Sequence, residues 1–260
     1  MTDEQRWHLA GTAPEIYAEH LVPAVFAPWA PVLLDAAAVG IGHTVLDVAC
    51  GTGVVAAAAA ERVGPSGAVT GVDINPGMIA VAARTRGVRW AQADAARLPF
   101  PDGGGFDRVL CQAGLQFVPD RLGALREMRR VARPGGRVAL LVWRALHHSP
   151  GFAALADALQ AVVGPDAAAV MRAPFGFGDD PRPLATLLDS AGFGDVDVQA
   201  GVGTVRFGSV EAFVRCQRAA SPLAAHVDVR HEPDLIAYVE ARAPAVFPIE
   251  AAVALGEVGE

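Results

Sequence analysis

Apolar residues along this chain fall into short continuous runs and longer stretches with helical spacing, and the two kinds alternate. Strand-like runs lie near 44–48, 68–73, 88–92, 106–111 and 136–143, with helical segments near 53–63, 76–86 and 119–132. Such alternation predicts a parallel sheet covered by helices on both faces. Gly64-Pro65-Ser66-Gly67 and Pro134-Gly135-Gly136 read as turns, each between a helix and the next strand. Ahead of this region, Pro14 to Val39 carries apolar residues broken by prolines at 23, 28 and 31, which predicts kinked helical pieces leaning on the core. Beyond Trp143 the pattern turns helix-rich to about Ala191. Asp195 to Phe207 then alternates like a strand, Ser209–Ala219 and Pro233–Ala243 are helical, and Val246 to Leu255 is an apolar strand-like end. No internal repeat interrupts this plan.

Leu46-Asp47-Val48-Ala49-Cys50-Gly51-Thr52-Gly53 is the most informative stretch. It is a buried strand entering a turn that needs glycine, and the alanine-rich run 54–60 continues it as a helix. Glycines without a Cβ let the backbone approach a ligand, and the first amides of the helix favour a polar group held there. Asp73 follows at the end of the next strand, placed to accept both hydroxyls of a ribose.

Composition narrows the partners. The 260 residues, 52% of them apolar, can bury one substantial α/β core with a smaller cap, and the net charge of −7 argues against general nucleic-acid or anionic-membrane binding. A small-molecule partner is expected. All 21 basic residues are arginine, so no lysine is present for a Schiff base or a P-loop. Cys50, Cys111 and Cys216 are odd in number and sit in apolar runs, against a disulfide framework or zinc site, and no metal is expected. Met1 to Gly11 lacks a secretory pattern and no run is long enough to span a membrane, so the expected location is the cytoplasm.

Five ordered segments carry a family resemblance: LDVACGTG (46–53), GVDINPGM (71–78), AQADAARLPFPDGGGFD (91–107), CQAGLQFVPD (111–120) and REMRRVARPGGRVAL (126–140). Together they resemble class I S-adenosylmethionine-dependent methyltransferases, in the branch with ubiquinone/menaquinone-biosynthesis C-methyltransferases and many small-molecule methyltransferases. The resemblance implies an α/β, Rossmann-like seven-stranded sheet in the order 3-2-1-4-5-7-6, with strand 7 antiparallel and helical cap elements. Strand 6 would be Asp195 to Phe207 and strand 7 Val246 to Leu255, with 208–244 inserted between them. The expected organisation is an N-terminal helical cap (1–43), an S-adenosylmethionine-binding core (44–143), and the rest of the sheet with cap insertions (144–260).

Carried over by position, the resemblance implies that Ala49, Gly51 and Gly53 line the amino-acid end of S-adenosylmethionine, with Asp47 near its ammonium. Asp73 would hold the ribose, Ile74 and Met78 would pack beside the adenine, and Asp94 and the Ala95 amide would meet the adenine edge. Gln112 and Gln116 would lie near the methionine part. Methyl transfer to a small-molecule acceptor is an in-line displacement that depends mostly on alignment and exclusion of water. Where a proton must leave, His20, His147 and His148 are the candidate bases, the last two because they follow the fifth strand. Packing roles compete with each assignment. Cys50 reads as a small buried hydrophobe and the arginines 126, 129, 130 and 133 as a solvated helix face.

Two other readings compete. Gly51, Gly53 and Ala56 satisfy a dinucleotide fingerprint with Asp73 as its acid, but the Asp94-Ala95 pair and the Arg133–Gly136 turn are not needed by a nicotinamide dehydrogenase. The chain also lacks any Tyr-x-x-x-Lys pair. A fold member that binds the cofactor without transferring its methyl, as a cyclase or scaffold, is the second.

Overall fold

A computed structural model describes residues 11–259. The first ten residues, with which the expected 1–43 segment and the leader reading begin, lie outside the described part. Seven strands form one sheet in the order β3-β2-β1-β4-β5-β7-β6. They are β1 (Thr44–Val48), β2 (Ala68–Asp73), β3 (Arg89–Gln92), β4 (Phe106–Gln112), β5 (Ala132–Trp143), β6 (Gly194–Arg206) and β7 (Val246–Glu257). The first five pair in parallel, and β7 runs antiparallel between β5 and β6. The expected order and the antiparallel seventh strand are therefore both present.

The physical basis is continuous burial. Val45, Leu46 and Val48 of β1, and Val138 to Val142 of β5, are almost fully buried, as strands covered on both faces must be. One apolar cluster, with Leu33, Val55, Ala59 and Leu155, fills one side of the sheet, and a second, with Leu125, Met128 and Leu188, fills the other. The helix Val54–Val63 starts from Gly53 in a left-handed conformation (φ 91°), and Asn75 and Asp120 accept Gly77 and Gly123 amides at the starts of Pro76–Ala82 and Arg121–Val131.

Two expectations change. The helix expected over 76–86 ends at Ala82, and Gly87 takes a positive φ (82°) before β3. Pro134-Gly135-Gly136 is not a turn ahead of the strand but a bulge inside β5, whose pairing with β4 already starts at Ala132. The reason lies at the residue just past β7: the Gly135 amide donates to Val258 O (2.8 Å) and the Val258 amide to Gly136 O (2.9 Å), which keeps the segment in the sheet.

The covering pieces assemble from distant sequence. Residues Ala13–Ile16 and wide π-type turns over Tyr17–Phe26, containing Pro23, cover the carboxyl ends of the central strands, and Ala30–Ala36 packs on one face of the sheet beside the helix Val54–Val63. Trp29 anchors them on β6, its ring lying where a side chain at Gly203 would stand. Helices Pro150–Val162 and Pro165–Arg172, and Val210–Ala219 from between β6 and β7, meet around the rings of Phe152, Phe175, Phe213 and Phe247. No helix among the described residues is long and apolar enough to cross a membrane.

Candidate functional site at the carboxyl edge of the sheet

A cavity of about 230 Å³ opens where β1, β2 and β4 end, beneath the covering helices. In an open α/β sheet the strand order reverses at this edge, leaving a crevice between the first loops. Two non-glycine residues at this edge, Ala49 after β1 and Ala113 after β4, adopt left-handed conformations (φ 54° and 52°). Such strain is carried where surrounding packing dictates it. Both residues line the cavity.

Asp73 organises the turn. Its two carboxylate oxygens accept the Gly51 and Asn75 amides, each at 2.8 Å, so the end of β2 is tied to the glycine-rich loop. Gly51 has φ 55°, and a Cβ there would meet only the Tyr17 ring, at 4.0 Å. Gly53 differs from its expected part. A Cβ at Gly53 would lie 2.4 Å from Trp90, so this glycine makes room for a ring of the protein and does not line the cavity.

Electrostatics at this end are acidic. Asp47 is 1% exposed, and it accepts the Ala56 amide at 3.0 Å. Burial above all, with the nearby Asp73 charge adding to it, pushes its carboxyl up to about 8. It borders a small recess with Gly51, Thr52 and Gln112 beside the main cavity. Tyr17, which borders both spaces, has its phenol held well above the usual range by burial and by Asp73. Burial likewise raises the thiols of Cys50, Cys111 and Cys216, against a nucleophilic role for any of them.

Of the residues singled out in the sequence, Ala49, Gly51, Asp73, Ile74, Met78, Asp94, Ala95 and Gln112 line the one cavity, and Asp47 borders its recess. Asp94 also accepts the Ala96 amide at 2.8 Å. Gln112 donates from Nε2 to Phe26 O (3.0 Å), while its buried Oε1 has no hydrogen-bond partner among the described residues. Gln116 points elsewhere: its Oε1 accepts the Trp143 amide at 3.3 Å, so it ties the loop to β5.

The three histidines do not line this cavity. His20 is largely exposed beside Glu19. His147 and His148 turn outward onto Asp179, and His148 lies 2.6 Å from Asp179 through Nε2 and 3.2 Å from Glu250 through Nδ1. These carboxylates draw the imidazoles away from the strand ends. The expected pocket-side position of His147 and His148 is corrected accordingly. His147, His148 and Asp179 offer ligand atoms within 4.8 Å of one another, a cluster that the sequence did not suggest because Asp179 lies thirty-one positions after His148.

Sequence reading also passed over much of the far wall. Trp143, Phe152, Met171 and Phe175 make it apolar, and Gln217 and Ser221 add polar groups. Gln217 did carry a signal, because it falls on the apolar stripe of its helix, three residues after Val214 and four after Phe213.

The strand order and the crevice are those the class I methyltransferase resemblance implies, and residues 46–140 match the family model described as a methyltransferase domain. Among curated proteins, the chain is similar to a demethylmenaquinone methyltransferase of Staphylococcus aureus, 45% identical over 104 residues. That match covers 38% of this chain and 43% of the relative, so the chain spans less than half the length of the curated relatives it matches. Among solved structures, the YcgJ protein of Bacillus subtilis has the same fold, with TM-score 0.61 and 19% identity over 89% of this chain and 98% of that one. So does a Haemonchus contortus phosphoethanolamine N-methyltransferase in complex with S-adenosylhomocysteine (TM-score 0.58, 18% identity, covering 90% of this chain and 53% of that one).

Proposed function

We propose that this chain transfers the methyl group of S-adenosylmethionine to a small apolar acceptor held under the covering helices. The observation that carries the reading is the single cavity running from Gly51, Asp73 and Asp94-Ala95 to the apolar wall of Trp143, Phe152 and Phe175. The donor chemistry and the acceptor thus have adjoining places.

The residues suit the cofactor by their charge and their unmet hydrogen bonds. Asp47 is a buried carboxyl held largely protonated at neutral pH, and a neighbouring cation would ionise it. Gln112 Oε1 is a buried acceptor without a partner among the described residues. Asp73, Ile74, Met78, Asp94 and Ala95 would hold the nucleoside, and Asp47, Ala49, Gly51 and Gln112 the amino-acid end. When bound, S-adenosylmethionine supplies an activated sulfonium methyl.

The protein's contribution is then alignment and dryness. Holding an acceptor in line is worth up to about 7 to 11 kcal/mol. The rings of Phe26, Trp143, Phe152 and Phe175 exclude water and favour a flat apolar acceptor. The similarity over 104 residues to a demethylmenaquinone methyltransferase supports a ring-containing small-molecule acceptor. With no histidine among the described residues lining the cavity, the chemistry suits an acceptor that needs little help from a base.

Calorimetry with S-adenosylmethionine, S-adenosylhomocysteine, NAD and NADP tests the cofactor, and formation of S-adenosylhomocysteine with naphthol and naphthoquinol acceptors tests transfer. Binding of both adenosyl ligands without competition by the nicotinamides, plus turnover, is the expected result. Nicotinamide binding alone would sink the reading.

A further inference from the structure

We infer that Gln217 is the residue that selects and orients the acceptor, by donating from its side-chain amide to an oxygen carried on an otherwise apolar ring. The inference rests on the methyl-transfer reading, because it names what that site holds beyond the sulfur.

Gln217 is 4% exposed, and its Nε2 has no hydrogen-bond partner among the described residues. A buried amide left unpaired costs stability, and an apolar residue would pack at this position without that cost. Its helix has the apolar stripe that leucine would continue, through Val210, Phe213 and Val214. A glutamine there is explained by a partner that arrives from outside the protein.

The surroundings say where that partner sits. Gln217 lines the same cavity as Asp73 and Asp94, one helical turn from Ser221. Ser221 is committed already: its hydroxyl donates to Gln217 O at 2.5 Å and accepts the Leu223 amide at 3.3 Å. It therefore fixes the end of the helix and leaves the Gln217 side chain as the polar group offered on this side. Phe152, Met171 and Phe175 line the same cavity with apolar surface. One polar group in an apolar wall sets orientation, since a ligand that cannot pair with it leaves it buried and unmet. The ligand class is a flat hydrocarbon ring bearing a carbonyl or hydroxyl oxygen.

The test uses the full chain saturated with S-adenosylhomocysteine and two probes of nearly equal shape. One is a dimethylnaphthoquinone substituted at both reactive ring carbons, so that it cannot alkylate thiols; the other is dimethylnaphthalene, without oxygen. Equilibrium dialysis of wild type should show the quinone bound at least about tenfold more tightly. Gln217→Leu should lose that preference, binding both probes equally, while affinity for S-adenosylhomocysteine stays within about twofold. Gln217→Met, unbranched and similar in length, serves as the second variant should Leu disturb folding. The inference is overturned if wild type shows no preference for the quinone, or if a folded variant keeps it. Should wild type fail to bind S-adenosylhomocysteine, the cofactor reading fails separately, and the same dialysis without it still decides the role of Gln217.

Discussion

The Asp73 carboxylate accepts the Gly51 backbone amide at 2.8 Å, which joins the end of β2 to the glycine-rich turn that follows β1. This one bond makes the acid part of the loop's architecture as well as part of the proposed nucleoside site. Its other oxygen accepts the Asn75 amide, so both ends of the carboxylate shape backbone.

Asp73→Ala is therefore expected to act twice. Loss of charge-assisted bonds should weaken S-adenosylmethionine binding by at least about tenfold, and the two orphaned amides should lower stability by roughly 1 to 3 kcal/mol. Calorimetry and urea denaturation separate the two effects. Unchanged affinity would remove Asp73 from the site.

Asp47 sets a pH dependence. Its carboxyl is raised from 3.8 to about 8 in the folded state, so the native protein holds a proton that the unfolded chain has released across that window. Stability of the cofactor-free protein should accordingly fall as pH rises from about 4 to about 8. Asp47→Asn should flatten that slope. Binding of a cationic ligand favours the ionised form, so affinity for S-adenosylmethionine should rise with pH up to about 8 in wild type and much less in the variant. Thermal unfolding and calorimetry at several pH values check both; parallel profiles for the two proteins would refute the assignment.

The two glycines should separate. Gly53→Ala places a Cβ 2.4 Å from Trp90 at a φ of 91°, and overpacking with backbone strain should cost roughly 1 to 3 kcal/mol or more. Gly51→Val points a side chain toward Tyr17 and the cavity, with strain from its φ of 55° but no clash at the Cβ. It should fold less stably than wild type and lose cofactor affinity by more than about tenfold. Denaturation midpoints and calorimetry read the contrast.

Substituting His20, His147 or His148 by Gln should leave turnover within about twofold, because none lines the cavity, whereas a general base contributes roughly 10² to 10⁴. For His148→Gln the expected effect lies in the segment around Asp179, which keeps only Arg144 as its bridge to Glu250 and should become more sensitive to limited proteolysis. A tenfold drop in turnover for any of the three, with cofactor affinity intact, would restore the base.

How much was readable follows from distance along the chain. Strand, turn and acid at 44–53 and 68–73 were legible because apolar periodicity and glycine preferences are local properties. Asp94 and Met78 belonged to the same ordered segments. What misled was also local: Pro134-Gly135-Gly136 has turn chemistry, but Val258, just past β7 and more than a hundred residues later, holds it in the sheet. Gly53 has the composition of a ligand loop, yet Trp90 occupies the space beside it.

The sequence by itself determined the alternation of strands and helices, the glycine turn, and the acids at the strand ends, since each arises from neighbours within a few positions. Only the tertiary structure decided which side chains share the cavity. His147 and His148 are held by Asp179, and His148 by Glu250 as well, and Gln217 reaches the cavity because the segment between β6 and β7 folds back over it. Packing and ion pairing between distant segments set those directions, and no local pattern encodes them.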